Sequence, residues 1–128
     1  MSIFDTLAKE AKNDYAQLVS ETSNDQGFIG TGSYILNAQL SGSIYGGIPN
    51  NRVTAIAGEQ ATGKTFYAIG IASTFLDDHP DGAVFYFDSE AAATPDLFRD
   101  RGLDPNRVWH FPIDTIEEFR TQMIRILD

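Results

Sequence analysis

Apolar and polar residues follow different periods in different parts of the chain, and each period predicts an element. At the N-terminus apolar side chains recur every three or four residues, which predicts an amphipathic helix over residues 2–20. Ser2 and Asp5 form a candidate capping box at its start. The apolar stripe comprises Ile3, Phe4, Leu7, Ala8, Ala11, Tyr15 and Leu18. A polar stretch over 21–27 has no periodicity and is typical of a linker.

The rest of the chain alternates between helix-like and strand-like patterns, which favours an α/β fold. The predicted elements are a short helix over 33–41, a strand over 53–57, a helix over 65–76, a strand over 83–87, a helix over 95–101, a strand over 108–111 and a helix over 115–127. Gly102 is expected to cap one helix, and Thr115 with Glu118 to form a capping box on the last. The first two strands and the helix between them are expected to form a right-handed βαβ unit.

Residues 58–65 match the pattern G-x-x-x-x-G-K-[ST] directly after the first predicted strand. Gly58 and Gly63 permit a backbone whose successive N–H groups converge on one hollow, and the start of the next helix adds its positive end. Lys64 would reach phosphate oxygens, and the Thr65 hydroxyl would ligate a Mg²⁺ ion that bridges them. The pattern predicts a phosphate-binding loop. The alternative is a glycine-bearing turn that matches by chance.

The second predicted strand ends in Asp88, Ser89 and Glu90. Carboxylates at the C-terminal edge of a parallel strand lie beside the crevice where ligands bind, so these residues are predicted to face the nucleotide. His79 and His110 are isolated in the sequence, and a structural role is favoured for both.

Composition narrows the class of protein. The 128 residues are 42% apolar and contain no cysteine, which fits a globular domain and excludes disulfides and thiolate metal sites. A net charge of −9 would repel a nucleic-acid backbone unless the few cations lie on one face. Trp109 and the nine Phe residues are interpreted as core or interface, because no basic residues interleave with them. The start of the chain resembles neither a signal nor a membrane span, so a cytoplasmic protein is expected.

Five segments of the chain together resemble a known protein family. They are Gly46-Gly47-Ile48-Pro49, the loop pattern over 58–65, Phe85-Tyr86-Phe87-Asp88-Ser89-Glu90, Thr94-Pro95 and Arg99-x-x-Gly102-Leu103-Asp104-Pro105-Asn106-Arg107-Val108. In this order they resemble the front half of the ATPase core of RecA-type recombinases, and among these they look most like the UvsX recombinases of tailed phages. The resemblance covers about residues 33–128.

The resemblance implies a partial RecA-like P-loop ATPase core, a parallel sheet flanked by helices, that acts on ATP with Mg²⁺. It assigns catalysis to Glu90, which would orient or deprotonate the attacking water, and to Lys64, with Thr65 as the metal ligand. It assigns nucleotide binding to Gly58, Glu59, Gln60, Ala61, Thr62, Gly63, Lys64, Thr65 and Phe66. The competing interpretation of Glu90 is that it caps a turn or pairs with a loop cation. Where RecA itself stacks an aromatic residue on adenine, this chain has Leu97, with Phe98 beside it.

The resemblance also implies an organisation and partners. Residues 1–32 would be an oligomerisation helix and its linker, and residues 33–128 the N-terminal half of the core. The terminal helix either folds back on its own core or docks on a neighbour, and family members use such a helix to build a filament. The family's next core strand, its Mg²⁺-supporting aspartate and its loops for single-stranded DNA are expected beyond residue 128, and a sheet cut there exposes an apolar edge.

Three functions are compatible with these features. The first is an ATP-dependent strand-exchange recombinase that forms a filament on single-stranded DNA, with this chain as its N-terminal part. The second is a RecA-like hexameric helicase, which the residues beyond 128 would distinguish by the absence of two DNA loops. The third is an interaction fragment that assembles through its N-terminal helix without hydrolysing nucleotide.

Overall fold

A computed structural model describes residues 2–21 and 27–128. Its helices and strands are α1 (Ile3–Glu10), β1 (Phe28–Ile29), α2 (Tyr34–Ser41), β2 (Ile48–Pro49), α3 (Lys64–Asp78), β3 (Val84–Asp88), α4 (Pro95–Asp100), β4 (Val108–Pro112) and α5 (Ile116–Leu127). The structure confirms that helices and strands are mixed along the chain, as the predicted α/β class requires, and its sheets are small. Most of the predicted linker lies outside the described residues.

The strands form two separate two-stranded sheets. β3 and β4 run parallel, with Val84 opposite Val108 and Asp88 opposite Pro112. The chain passes from β3 to β4 through α4, so the βαβ unit of the structure lies over residues 84–112. β1 and β2 form a short antiparallel pair that the sequence did not predict.

The predicted strand over 53–57 is wrong, and with it the βαβ unit expected between that strand and β3. Residues 53–57 form no ladder with any strand in the described part of the chain. Val53 is 101% exposed, and Ile56 is 43% exposed. β-branched composition favours a strand only where a neighbouring strand supplies hydrogen bonds and packing, and the described residues provide this segment with no such neighbour.

The N-terminal helix is about half as long as predicted. The capping box is confirmed, since the Ser2 hydroxyl accepts the Asp5 N–H at 3.2 Å and the Asp5 carboxylate accepts the Ser2 N–H at 2.8 Å. The helix ends at Glu10, and Lys12 then adopts a left-handed φ of 50° that a helix cannot continue through. The predicted apolar stripe is therefore divided between α1 and the turns after it.

The other helices lie within two residues of their predicted bounds. Gly102, with φ of 81°, comes after α4 as expected, and its N–H donates to the Arg99 carbonyl. The predicted capping box of α5 forms only in part. The Thr115 hydroxyl accepts the Glu118 N–H at 3.2 Å, but the Glu118 carboxylate accepts the N–H of Asp114 at 3.1 Å instead of that of Thr115.

A small core joins α3, α4 and the parallel strands. Its buried apolar residues are Ile69, Leu76, Phe98 and Leu103. Arg107, just before β4, donates from its guanidinium to the carbonyls of Leu76, His79 and Gly82. These bonds satisfy carbonyls at the end of α3 and thereby fix where β4 begins relative to that helix.

The backbone just before β2 requires a glycine, which is Gly47. Its φ is 142°, and a Cβ there would lie 2.0 Å from the Ile29 carbonyl oxygen, so a larger residue would separate β1 from β2.

Next to the pair of β1 and β2, Asn37 is buried and its side-chain oxygen accepts the Thr31 N–H at 2.8 Å. Residues 28–31 thus contact elements beyond the boundary expected at residue 32. The division into 1–32 and 33–128 stays a prediction.

Within residues 2–21 and 27–128, none of the helices has both the length and the apolar character needed to cross a membrane.

Candidate functional site

The predicted phosphate loop forms a tight turn that leads into α3. Ala61 has φ of 62° and Gly63 has φ of 93°, so the chain turns sharply just before the helix begins at Lys64. Gly63 is the N-cap, and no side chain caps the helix. The first N–H groups of α3 therefore retain their capacity to bind an anion.

Lys64 lies folded against the loop that precedes it. Its Nζ donates to the Gly58 carbonyl at 2.9 Å and to the Glu59 carbonyl at 2.7 Å. The Thr62 hydroxyl donates to the same Glu59 carbonyl at 2.7 Å. These bonds hold a positive charge at the turn, where it can exchange its carbonyl partners for phosphate oxygens.

A cleft of about 150 Å³ connects the start of α3 with the end of β3. It is lined by Thr65, Tyr86, Phe87, Asp88, Ser89, Glu90, Ala92, Ala93 and Leu97. The structure therefore brings the predicted metal ligand, Thr65, together with the predicted catalytic carboxylate, Glu90. Gly58 to Lys64 and Phe66 do not line this cleft. Residues 58–63 form the turn beside it, and Lys64 and Phe66 lie in the first turn of α3.

Asp88 is the buried polar centre of this region, with 6% of its surface exposed. Its Oδ1 accepts the Glu90 N–H at 3.0 Å, and its Oδ2 accepts the Ala93 N–H at 3.0 Å. His110 Nε2 lies 3.1 Å from the same Oδ2. The bond from Ala93, and then those from Glu90 and His110, hold the pKa of Asp88 below its ordinary value, against the opposing effect of burial. Asp88 is thus a carboxylate anion at neutral pH.

Glu90 projects from the loop with its side chain exposed. Within the described residues its carboxylate makes no hydrogen bond or ion pair, so no contact supports the interpretation in which it caps a turn or pairs with a loop cation. The next residue, Ala91, has φ of 53°, which costs a non-glycine residue about 1–2 kcal/mol.

Burial raises the pKa of Tyr86, and the charges of Asp88 and Glu90 raise it further, so its phenol stays protonated.

The aromatic residues near the cleft have distinct environments. Phe98 is buried in the core with its ring 5.2 Å from that of Tyr86, so it is not available to a base. Leu97 lines the cleft, at the position where RecA itself has its adenine-stacking aromatic residue. Phe66 is 50% exposed, and the Arg101 guanidinium lies 4.0 Å from the centre of its ring. No pattern in the sequence indicated this contact, because it joins two elements far apart along the chain.

The two histidines have different environments. His79 stacks on Phe75 with ring centres 4.5 Å apart, as a structural residue would. His110 contacts Asp88 at the edge of the site, which its isolated position in the sequence did not indicate. The parallel register places His110 opposite Tyr86, two residues before Asp88, and no pattern in the sequence specifies that register. Trp109 is 62% exposed and is not a core residue.

Thr65 offers a hydroxyl at the cleft, and a hydroxyl is a suitable oxygen ligand for Mg²⁺. Across residues 2–21 and 27–128 there is no group of three His, Cys, Asp or Glu that could hold a metal ion. A hydroxyl such as that of Thr65 suits Mg²⁺, which keeps several waters and takes its other ligands from phosphates.

Comparison with known proteins gives one informative match. No protein-family model matches the chain. The chain is similar to a protein of Enterobacteria phage T4 described as "Recombination and repair protein", with 31% identity over 109 residues. The similar region covers 85% of this chain and 28% of the phage protein, so the chain spans less than a third of that relative.

Acid should weaken the fold through Asp88. Because its pKa is lowered from 3.8 on folding, its carboxylate stabilises the folded state fully above that value and loses this contribution as the pH falls through the lower, folded-state pKa. Asp88→Asn should therefore lower the free energy of unfolding most near neutral pH, with a difference from wild type that shrinks in acid. Urea denaturation from pH 7 downward measures this. The exposed Asp96→Asn is the control, and a pH-independent difference for Asp88→Asn would contradict the assignment.

Proposed function

We propose that the protein is an ATP-dependent recombinase of the RecA type and that this chain carries the nucleotide-binding part of its ATPase core. The observation that carries the proposal is the cleft that joins Thr65, at the end of a complete phosphate-loop pattern, to Glu90 at the end of a parallel strand. The similarity to the phage recombination and repair protein supports a role in recombination and repair. DNA strand exchange, and binding of single-stranded DNA through other parts of the longer protein, belong to the same proposal.

The phosphates of ATP would bind at residues 58–66, which comprise the turn over 58–63 and the first residues of α3. The backbone N–H groups at the start of α3 donate to phosphate oxygens, and the Lys64 ammonium leaves the Gly58 and Glu59 carbonyls for the β- and γ-phosphates. Thr65 would hold Mg²⁺, which supplies neutralisation of the phosphate charge. The exposed ring of Phe66 would lie next to the bound nucleotide.

Hydrolysis would depend on Glu90. Its exposed carboxylate shares the cleft with Thr65 and has no partner of its own among the described residues, so it is available to orient a water and accept its proton. The water then attacks the γ-phosphorus, and the bond to the β,γ-bridging oxygen breaks. Lys64 stabilises the negative charge that develops on the transferred group.

Assembly would use α1. Its apolar side chains face outward, with Ile3 71%, Phe4 76% and Leu7 55% exposed, and no residue of α1 is buried. Folding back on the core would have buried this face, so these exposures favour docking on a neighbouring subunit. Burial of the face would contribute about 25 cal/mol per Å². A head-to-tail contact of this kind propagates into a filament or closes a ring.

Lys64→Ala should weaken ATP binding severely. Loss of one charge-assisted phosphate contact costs about 1.5–3 kcal/mol, which is about tenfold or more in Kd. Titration of a fluorescent ATP analogue measures this. Arg125→Ala, which removes an equal charge from the exposed side of α5, is the matched control. Unchanged affinity in Lys64→Ala would exclude the phosphate-loop assignment.

Glu90→Gln in the complete protein should retain ATP binding and lose turnover by about two orders of magnitude or more, since the shape remains while the proton acceptor is lost. Steady-state phosphate release, measured beside analogue binding, separates the two effects. Glu117→Gln, an exposed position on α5, should leave both unchanged. Turnover close to wild type in Glu90→Gln would assign Glu90 a structural role.

Replacing both Phe4 and Leu7 with Asp should abolish assembly and leave a folded protein that binds ATP. Sedimentation of the complete protein, with a thermal melt, measures both properties. The double variant Thr6→Asp with Asn13→Asp adds the same negative charge at polar positions of this region and should still assemble. Loss of the cooperative melting transition in the first variant would show that α1 belongs to its own core.

A further inference from the structure

Glu90 is anchored through its backbone N–H, which donates to Asp88. Among the described residues its carboxylate has no hydrogen-bond or ion-pair partner, so the direction of the side chain depends on the backbone that carries it. That backbone is the loop over residues 88–93, between β3 and α4. The contacts that fix this loop therefore also decide where Glu90 lies.

The loop is folded around a single carboxylate, that of Asp88. One oxygen accepts the N–H of Glu90 at 3.0 Å, and the other accepts the N–H of Ala93 at 3.0 Å. Between these two anchors lies Ala91 in its left-handed conformation. A non-glycine residue keeps such a conformation only where its surroundings determine it, and the bonds to Asp88 on both sides do so.

Asp88 is in turn fixed by the two parallel strands. Its carbonyl accepts the Ile113 N–H at 3.0 Å just beyond β4, and His110 of β4 approaches its Oδ2 at 3.1 Å. A carboxylate only accepts, so His110 donates from Nε2, either as the neutral tautomer with a proton there or as the cation. The contact therefore persists in both charge states of the histidine.

We propose that Asp88 is a positioning residue for Glu90 and that His110 orients the Asp88 carboxylate. The proposal rests on the proposed function, since it concerns the residue expected to orient the attacking water. Neither residue contacts the reacting atoms in this role. Asp88 folds the loop so that Glu90 faces the cleft, and His110 supplies the donor that keeps Oδ2 directed toward the Ala93 N–H.

Four variants of the complete protein test this. Asp88→Asn keeps the shape but replaces one acceptor with a donor, which is repelled by a backbone N–H. His110→Phe removes the donor, whereas His110→Gln returns an N–H at nearly the position of Nε2. Asp96→Asn, on the exposed side of α4, is the control for loss of a nearby carboxylate. The measurements are the Kd of an ATP analogue, kcat for phosphate release, and hydrogen exchange of the Glu90 and Ala93 amides.

For Asp88→Asn we expect exchange to be faster by about tenfold or more at whichever of the two amides then faces the carboxamide NH2, since its acceptor is lost. The other amide keeps an oxygen acceptor without the negative charge, so its exchange should rise less. We expect kcat to fall by up to about 100-fold, with the Kd for the analogue close to wild type, because misplacement of a reacting group affects turnover and not phosphate binding. His110→Phe should show the same pattern more weakly, and His110→Gln and Asp96→Asn should behave as wild type.

Either of two results would overturn the proposal. One is wild-type kcat and exchange in Asp88→Asn. The other is a parallel loss of kcat, analogue binding and the cooperative melt in Asp88→Asn, which would make Asp88 a residue of general stability. Failure of the proposed function gives a different result. A wild-type protein without ATP turnover, or a Glu90→Gln variant with full turnover, would contradict the proposed function. The exchange of the Glu90 and Ala93 amides would still test whether Asp88 anchors the loop.

Discussion

The site depends on the buried carboxylate of Asp88, which closes β3 and organises the loop over residues 88–93. Burial of an anion is unfavourable unless hydrogen bonds replace its water, and here Glu90, Ala93 and His110 provide them. One side chain thereby ties β4 to the loop that carries the candidate catalytic glutamate. The same hydrogen bonds lower the pKa of Asp88.

The predicted phosphate loop is held differently, by short-range contacts. Lys64 and Thr62 bond to carbonyls within the same turn, and α3 fixes its far end. On the near side, residues 53–57 are exposed and pair with no described strand. The two halves of the candidate site meet at α3, which presents Thr65 to the cleft and packs Ile69 and Leu76 into the core.

Local features of this chain could be predicted from sequence, and features that depend on distant partners could not. The capping box of Ser2 and the glycine after α4 were correct because each is decided within a few residues. The strand over 53–57 was wrong because a strand needs a partner that its own composition cannot supply. The contact between His110 and Asp88 depends on the register of β3 and β4, which no local pattern specifies.

We propose that residues 58–66, which comprise the turn and the first residues of α3, bind the phosphates of ATP beside Glu90. Hydrogen exchange of the complete protein, with and without ATP and Mg²⁺, tests it most directly. We predict that ATP slows exchange at the amides of residues 58–66, with a smaller effect at residues 88–93 and none in α5. If ATP left residues 58–66 unchanged at a concentration that protects another segment, nucleotide binding would lie elsewhere and the assignment of this site would be contradicted.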